Sequence, residues 1–414
     1  MIEKPFLYNV NYKILKREAI HYQIHLFALM ILAFSMPLSP AIMSISQVLL
    51  VLNFLVEPDL KNRFKLLSSN HAFWFFLSFF LIYIVGMIYT TDINQGLKEI
   101  KIKLPLLLIP IALAGKSELI LIDFKKILLA AIAGVLVTSF VGMYIYLTEK
   151  PEELRDISPF ISHIRLSLML CMAIFSALYL ITNSGKSKIL YKTLLAVTAI
   201  WLLTFIGILG ARSGYLVILV VAVFVGLTYL LKQRKYILAG ALALLLFIVP
   251  VSMYKFTDSV RTRINEIPAE IENYRNGENV SGQSISQRFV YWAISLELIK
   301  ENPVLGVGTG DTDFAFKNYY ATHQVKLEKK FQFTSHMQYL NITISFGLIG
   351  LIIFFVSVLY PPFLLNRYSD YLMISFLITL FISMLTEDTL ETQAGITFFA
   401  FYNSLLLFAK PKPA

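Results

Sequence analysis

Two arginines stand where long apolar stretches of the chain begin or end, and their side chains could do chemistry. Arg212 lies in ILGARSGYLVIL, between two apolar stretches only a few residues apart, and Arg288 opens the segment RFVYWAISLELIK. A guanidinium pairs with two phosphate oxygens at once, because its planar donors match that geometry. Two such arginines on one face of the molecule would form a site for a diphosphate. Taken singly, Arg212 is equally typical of a side chain that reaches from apolar surface into water, and Arg288 is more typical of a solvated loop.

Histidines at similar boundaries could handle a proton. His336 lies in FTSHMQYL, at the start of another apolar stretch, and neutral imidazole is well suited to accept a proton near neutral pH. His163 and Arg165, in ISHIRLSLML, also lie at the start of an apolar stretch and are therefore candidates for substrate binding. An isolated boundary histidine is more often a structural residue, so position alone leaves both interpretations open.

Carboxylates cluster near the end of the chain, in LTEDTLETQ. Glu387, Asp388 and Glu391 could counter the arginines, pair locally or solvate a turn. A pair of carboxylates could also hydrolyse a glycosidic bond, but only at a suitable separation in space. Sequence spacing does not decide among these.

The sequence lacks the motifs that would indicate metal or nucleotide chemistry. The GVGTGD segment, Gly306 to Asp311, lacks the spacing of a dinucleotide loop and is predicted to be a turn. The sequence has no HExxH pattern, no Walker lysine and a single cysteine, Cys171. We therefore predict no metal and no cofactor.

The elements that must position these residues are membrane helices. Of the 414 residues, 57% are hydrophobic and only 15% are charged, which is wrong for a water-soluble protein of this length. About 20 apolar residues are needed to cross the hydrocarbon layer, and such stretches recur along the chain. The fold class predicted is an all-α polytopic membrane protein with about twelve spans and one large loop. The predicted spans lie at 23–38, 40–56, 72–89, 104–114, 127–147, 164–182, 189–209, 213–231, 236–254, 338–359, 371–386 and 392–409.

Charge decides the expected orientation. With the N-terminus inside, the inner segments hold nineteen lysines and arginines and the short outer segments hold seven, as the positive-inside rule requires. Residues 1–22 and 410–414 are then cytoplasmic tails. The net charge of +10 is explained by this bias and by contact with membrane lipids, so no nucleic-acid partner is expected.

The polar segment 255–337 differs from its surroundings and is predicted to be one large outer loop between the spans of 23–254 and those of 338–409. Within it, residues 286–300 carry Phe289, Trp292 and Leu296 at helical spacing, which predicts an amphipathic helix lying on the membrane surface. The predicted loop supplies Arg288 and ends at His336.

Four motifs in order resemble the O-antigen ligase family of bacterial membrane proteins, which also includes O-antigen polymerases and protein O-oligosaccharyltransferases. They are ARSGYL at Arg212, SQRFVYWAISLELIKENPVLGVGTGD at Arg288, HMQYLNITISFGLIGL at His336, and the closing TEDTLETQAGITFFAFYNSLLL. The resemblance covers roughly the second half of the chain.

The resemblance implies an inner-membrane glycosyltransferase whose active site faces the periplasm. Its donor would be an undecaprenyl-diphosphate-linked glycan and its acceptor lipid A-core or another glycan, without metal or cofactor. Arg212 and Arg288 would hold the diphosphate, and His336 would activate the acceptor hydroxyl for an inverting transfer. His163 and Arg165 rank lower, as further substrate contacts.

Other functions stay open at this point. A polymerase that extends a lipid-linked repeat unit, or a protein glycosyltransferase, would share the donor site. A secondary transporter would also have many spans, but it predicts ionisable residues at the bilayer midplane and related halves. The charges here lie at the ends of the predicted spans. A structural scaffold would leave the boundary arginines unexplained.

Overall fold

The computed structural model describes residues 4–58, 60–115, 121–151, 153–185, 188–256 and 258–409. All regular secondary structure in these residues is helical, as the fold class predicts. The predicted tail 410–414 lies outside the described residues, as do residues 1–3 of the predicted tail 1–22. The remainder of that N-terminal tail is helical.

The helices, in chain order, are α1 (Lys4–Ser35), α2 (Pro40–Val56), α3 (Leu60–Ser69), α4 (His71–Gly86), α5 (Ile93–Lys103), α6 (Pro105–Ala114), α7 (Leu121–Thr148), α8 (His163–Thr182), α9 (Ile189–Leu209), α10 (Arg212–Val221), α11 (Thr228–Lys232), α12 (Tyr236–Phe256), α13 (Asp258–Arg275), α14 (Ser284–Glu301), α15 (Thr312–Thr322), α16 (Gln338–Leu364), α17 (Tyr371–Thr386) and α18 (Gln393–Ser404). A π-helical turn joins α10 to α11, and another extends α18.

Six helical segments of the described chain are long and apolar enough to cross a membrane. They are Arg17–Ser35, Ile122–Thr148, His163–Thr182, Ile189–Leu209, Arg212–Lys232 and Gln338–Leu364. A seventh would result if α2 and α3, which meet at 111°, form one bent span. At four further predicted spans the apolar helical stretches are shorter, namely His71–Gly86, Tyr236–Ile248, Tyr371–Thr386 and Gln393–Ala409. A multi-pass membrane protein is therefore supported, while the number twelve stays a prediction.

The predicted span 104–114 forms the short helix α6. Its ten residues measure about 15 Å, half of the hydrocarbon thickness. Helices α2, α4 and α18 surround it, and Pro105, Ile109 and Pro110 are buried. Non-spanning backbone at membrane depth is tolerated where protein covers it, and α6 meets that condition.

The segment 255–337 contains α13, α14 and α15. Helices α14 and α15 pack against α16, and α13 packs against α14. The predicted helix at 286–300 is confirmed as α14. Its packed face carries Tyr291, Ile294 and Leu298, whereas Phe289 and Trp292 of the predicted apolar stripe are only partly buried. That stripe is free to contact lipid head groups, which stays a prediction.

Helix α16 is broken at Gly347, where φ is 63° and ψ is −167°. The break lets unwound backbone pair with the glycine-rich loop that follows α14. Val307 and Gly308 donate their amides to the carbonyls of Ile344 and Ser345, each at 2.9 Å, and Leu348 donates to Pro303 at 2.9 Å. GVGTGD is thus a structural loop that fastens the polar segment to α16.

Replacing Gly347 with alanine should destabilise the protein. The left-handed backbone alone costs an alanine about 1–3 kcal/mol, and its Cβ would lie 2.1 Å from the Val304 carbonyl oxygen. Gly240→Ala is the control, because a Cβ at Gly240 meets nothing within 4 Å. Thermal unfolding of both variants in detergent checks the prediction, and equal melting temperatures would contradict it.

Candidate active site

A cavity of about 430 Å³ lies where three helices begin and one ends. Its walls include the first residues of α8, α10 and α14, which are His163, Arg212 and Ser284. Arg288, one turn into α14, also lines the cavity, as does Glu387 after the end of α17. Both predicted arginines and one predicted histidine therefore share a single cavity.

The local sequence explains why Arg212 projects here. Gly210 has φ of 66°, which ends α9 in the left-handed conformation that glycine favours. Only Ala211 separates it from α10, so the chain reverses at once and α10 starts with Arg212. Two consecutive long helices thereby place an arginine at their shared end.

Helix starts make the cavity electropositive beyond its arginines. The first amides of a helix point outward with a partial positive charge that favours anions. Ser162 and Ala211, which precede α8 and α10, give these starts no side-chain cap. At α14 the start already holds an anion, because the Ile285 amide donates to Glu270 at 2.9 Å. The cavity suits a multiply charged anion such as a diphosphate.

Glu387 lies between the second arginine and the predicted base. Arg288 Nη2 donates to Glu387 Oε1 at 3.3 Å, and His336 Nδ1 lies 3.8 Å from Glu387 Oε2. About a third of the Arg288 side chain and of the His336 side chain is exposed, against 12% of Glu387. One carboxylate therefore holds Arg288 and lies close to His336, while both side chains stay accessible to a ligand.

His336 stands beside this cavity rather than in its wall. Its backbone has φ of 45°, which is rare for a residue with a side chain. The imidazole centroid is 5.5 Å from the Tyr291 ring and 5.4 Å from the Phe333 ring. Packing against these rings holds the imidazole next to the carboxylate.

Segment 387–391 is fixed by contacts from distant parts of the chain. Asp388 accepts hydrogen bonds from the hydroxyls of Thr334, at 3.3 Å, and Ser335, at 3.1 Å. Arg165 Nη2 donates to the Asp388 carbonyl at 3.0 Å. Since Ser335 precedes His336, Asp388 links the histidine to the segment that carries Glu387.

Glu391 anchors the other end of the segment. Lys103, whose side chain is fully buried, donates to Glu391 Oε2 at 2.6 Å and to the Leu390 carbonyl at 2.7 Å. Gln338 donates to Glu391 at 2.6 Å and accepts from the Leu390 amide at 2.7 Å. A lysine on α5 and a glutamine at the start of α16 thus hold the same turn.

The structure places some of the predicted residues in the cavity wall and others beside it. Arg212, Arg288 and His163 line the cavity, and His336 adjoins it through Glu387. Arg165 is not in the wall and contacts the carboxylate segment instead.

Two further residues have a place in this arrangement that sequence analysis did not assign. The sequence offers Glu387 only as one of three carboxylates that could counter the arginines, and Lys103 only as one of the seven basic residues of the short outer segments. The sole sequence signal for either was a charge close to an apolar helix end.

Burial makes Asp388 a weaker acid than a solvent-exposed aspartate. Desolvation, followed by the negative charge of Glu391, raises the pKa of Asp388 to about 6. The folded state then holds a proton at pH 5 that the unfolded state has released, so the protein loses about 1.4 kcal/mol of stability between pH 5 and pH 7. Melting temperatures at pH 5 and pH 7 should differ in that direction, and Asp388→Asn should reduce the difference.

Glu99 contributes to the same pH dependence of stability. Desolvation also raises the pKa of Glu99 to about 6, so it contributes a second stability loss in the same pH window. The Asp388→Asn variant should therefore keep part of the pH dependence. A wild-type protein that is equally stable at both pH values would contradict the prediction.

Among the described residues, no three histidine, cysteine or carboxylate side chains converge so as to hold a metal ion. The ionisable groups of the cavity are arginine, histidine and glutamate. They can bind an anion and move a proton.

The fold and the cavity define a class, a multi-pass helical membrane protein with a cationic cavity at helix ends. Residues 197–355 match the family model described as O-antigen ligase, which confirms the predicted family resemblance. The matched segment contains Arg212, Arg288 and His336. The match supports a membrane enzyme of the ligase and polymerase kind that handles polysaccharide or lipid-linked glycan.

A relative from Haemophilus influenzae, described as an uncharacterized protein, is 28% identical over 317 residues. The alignment covers 73% of this chain and 75% of the relative.

Proposed function

We propose that this protein is an O-antigen ligase of the bacterial inner membrane, with its active site facing the periplasm. It would move a glycan from undecaprenyl diphosphate to lipid A-core. The observation that carries the proposal is the shared cavity of Arg212 and Arg288 at the uncapped starts of α8 and α10. These donors suit the diphosphate of such a lipid, and the family match supplies the glycan chemistry.

The two arginines act on the leaving group. As the bond between the anomeric carbon and the phosphate oxygen breaks, its electron pair goes to the diphosphate, which gains negative charge. Prearranged donors that meet developing charge lower the barrier, because they need no reorganisation during the reaction. Arg212 and Arg288 would supply these donors, together with the first amides of α8 and α10.

His336 acts on the acceptor. It takes the proton of the attacking hydroxyl while the oxygen bonds to the anomeric carbon from the face opposite the diphosphate, which inverts that centre. Glu387 stabilises the imidazolium that results, since its carboxylate lies 3.8 Å from Nδ1. The same carboxylate holds Arg288, so the two halves of the site are coupled through one side chain.

His163 lines the cavity and would add a contact to the donor. Arg165 has a different task. Its bond to the Asp388 carbonyl makes it a positioning residue for segment 387–391. We therefore assign substrate contact to His163 and support of the segment to Arg165.

The glycan phenotype of a deletion strain tests the proposal. Loss of a ligase leaves lipid A-core without glycan, while long chains accumulate on the lipid carrier. Loss of an O-antigen polymerase, the alternative within the family, leaves single repeat units on the core. Wild-type surface glycan in the deletion strain would contradict both.

A further inference from the structure

A second cavity, of about 400 Å³, lies at the other end of α14. It is bounded by α15, by the loop after α14 and by the turn after α4. Three of its walls are aromatic rings, Tyr89, Phe314 and Tyr319. Its size falls in the range of small-ligand sites, about 300–1,000 Å³.

The polar groups of this second cavity are available to a ligand. Glu301, Asn302 and Asn318 line it, and within the described part of the chain their side chains form no hydrogen bond. Asp311, by contrast, is occupied. Its carboxylate accepts from the amides of Thr91 and Asp92, at 2.7 and 2.8 Å, and so holds the turn after α4.

The charge of the second cavity is unfavourable for the diphosphate that is proposed to bind in the first cavity. No lysine or arginine is among its described wall residues, and Glu301 is negative. A diphosphate would be repelled there. His323, the one basic group, is stacked on Tyr319 with ring centroids 4.0 Å apart, which leaves a flat aromatic surface.

Flat rings beside carboxylate and amide groups match the two kinds of surface on a sugar. The C–H faces of a pyranose pack on aromatic rings, which bury apolar area, and its hydroxyls bond to carboxylate and amide oxygens. The first cavity contains Arg288 at the start of α14, and Glu301 ends the same helix. At 1.5 Å per residue the two sites are about 20 Å apart, a distance that a chain of several sugars spans.

We infer that the second cavity binds uncharged sugars of the glycan chain, at a distance from the diphosphate. This inference rests on the proposed function. The sugars could belong to the lipid-linked donor or to a glycan acceptor, because both present the same chemistry.

Binding is measured with the full chain in lipid nanodiscs. The probe is an oligosaccharide of two repeat units, freed from its lipid diphosphate by mild acid, and saturation-transfer NMR gives its dissociation constant. Phe314→Ala, Asn318→Ala and Glu301→Gln should each weaken binding at least tenfold. Phe314 is 62% exposed, and the exposed side chain of Asn318 forms no hydrogen bond within the described residues, so neither change removes a core contact.

Matched controls lie on the same two helices. Lys317→Ala changes the exposed neighbour of Asn318, and Glu297→Gln is the control for Glu301→Gln, one turn earlier on α14. Neither control residue lines the cavity. Both control variants should bind the oligosaccharide as the wild type does.

Transfer kinetics identify the source of the sugars. A raised KM for the lipid-linked donor with unchanged kcat means that the cavity holds donor sugars, and a raised KM for the acceptor means acceptor sugars. Wild-type binding and wild-type KM values in Phe314→Ala and Asn318→Ala would overturn the inference.

A separate variant tests the proposed function independently of the second cavity. Arg288→Ala should still bind the free oligosaccharide, because that probe has no diphosphate. If Arg288→Ala also transfers glycan normally, the proposed function is wrong whatever the second cavity binds.

Discussion

Alanine in place of Arg288 or His336 should abolish glycan transfer while the protein still folds and inserts. Loss of a positioned general base costs about 10²- to 10⁴-fold in rate, and loss of one donor to developing charge about 10²- to 10³-fold. Both side chains are about one-third exposed, so neither supports a core. Surface glycan of intact cells and single-turnover transfer by the purified enzyme are the measurements.

The two variants should fail in different ways. Arg288→Ala loses contact with the diphosphate and should weaken binding of the lipid donor as well as slow transfer. His336→Ala should bind the donor normally and fail only in the transfer step. A double variant should be little worse than His336→Ala, because residues that act as one unit are not additive.

Arg275 provides the control for the arginine. It ends α13 in the same polar segment, is exposed and does not line the cavity. Arg275→Ala should keep wild-type transfer. Normal surface glycan in Arg288→Ala and His336→Ala, at normal protein level, would refute the assignment of the site.

Helix positions could be predicted well from the sequence, because each follows from local apolar runs. The predicted spans 189–209 and 371–386 coincide with α9 and α17. The end of α9 at Gly210 and the start of α10 at Arg212 could be read from the break in the apolar run. The arginine at that junction can accordingly be identified from the sequence alone.

Contacts between distant elements could not be predicted in this way. Glu387 meets Arg288 across 99 positions, and Lys103 meets Glu391 across 288. The packing of the whole helix bundle decides which helix ends come together. Hydrophobic periodicity does not predict that packing. The packed face of α14 shows the same limit. Its polar residues Ser286 and Ser295 are fully buried, because they face protein rather than water.

Replacing Lys103 with methionine should destabilise the protein by about 3–5 kcal/mol, the cost of removing one partner from a buried ion pair. Its ammonium lies 2.6 Å from Glu391 and 3.7 Å from Glu99, and 5.2 Å from the ring centre of Tyr83. Without it, two carboxylates in the same pocket repel each other. Methionine keeps the volume, so the loss reports charge and not a void.

A second change should restore part of the stability. Glu391→Gln in the Lys103→Met background removes one of the two carboxylate charges that lost their ammonium partner, and the Gln338 contact can persist through an amide oxygen. Lys101→Met, an exposed change on the same helix, is the control and should melt as the wild type does. Thermal unfolding in detergent and glycan transfer by the purified enzyme are measured for all three. If Lys103→Met melts with the wild type, the lysine does not hold segment 387–391. If Lys103→Met melts early and the double variant recovers stability and transfer together, Lys103 positions Glu387 through that segment.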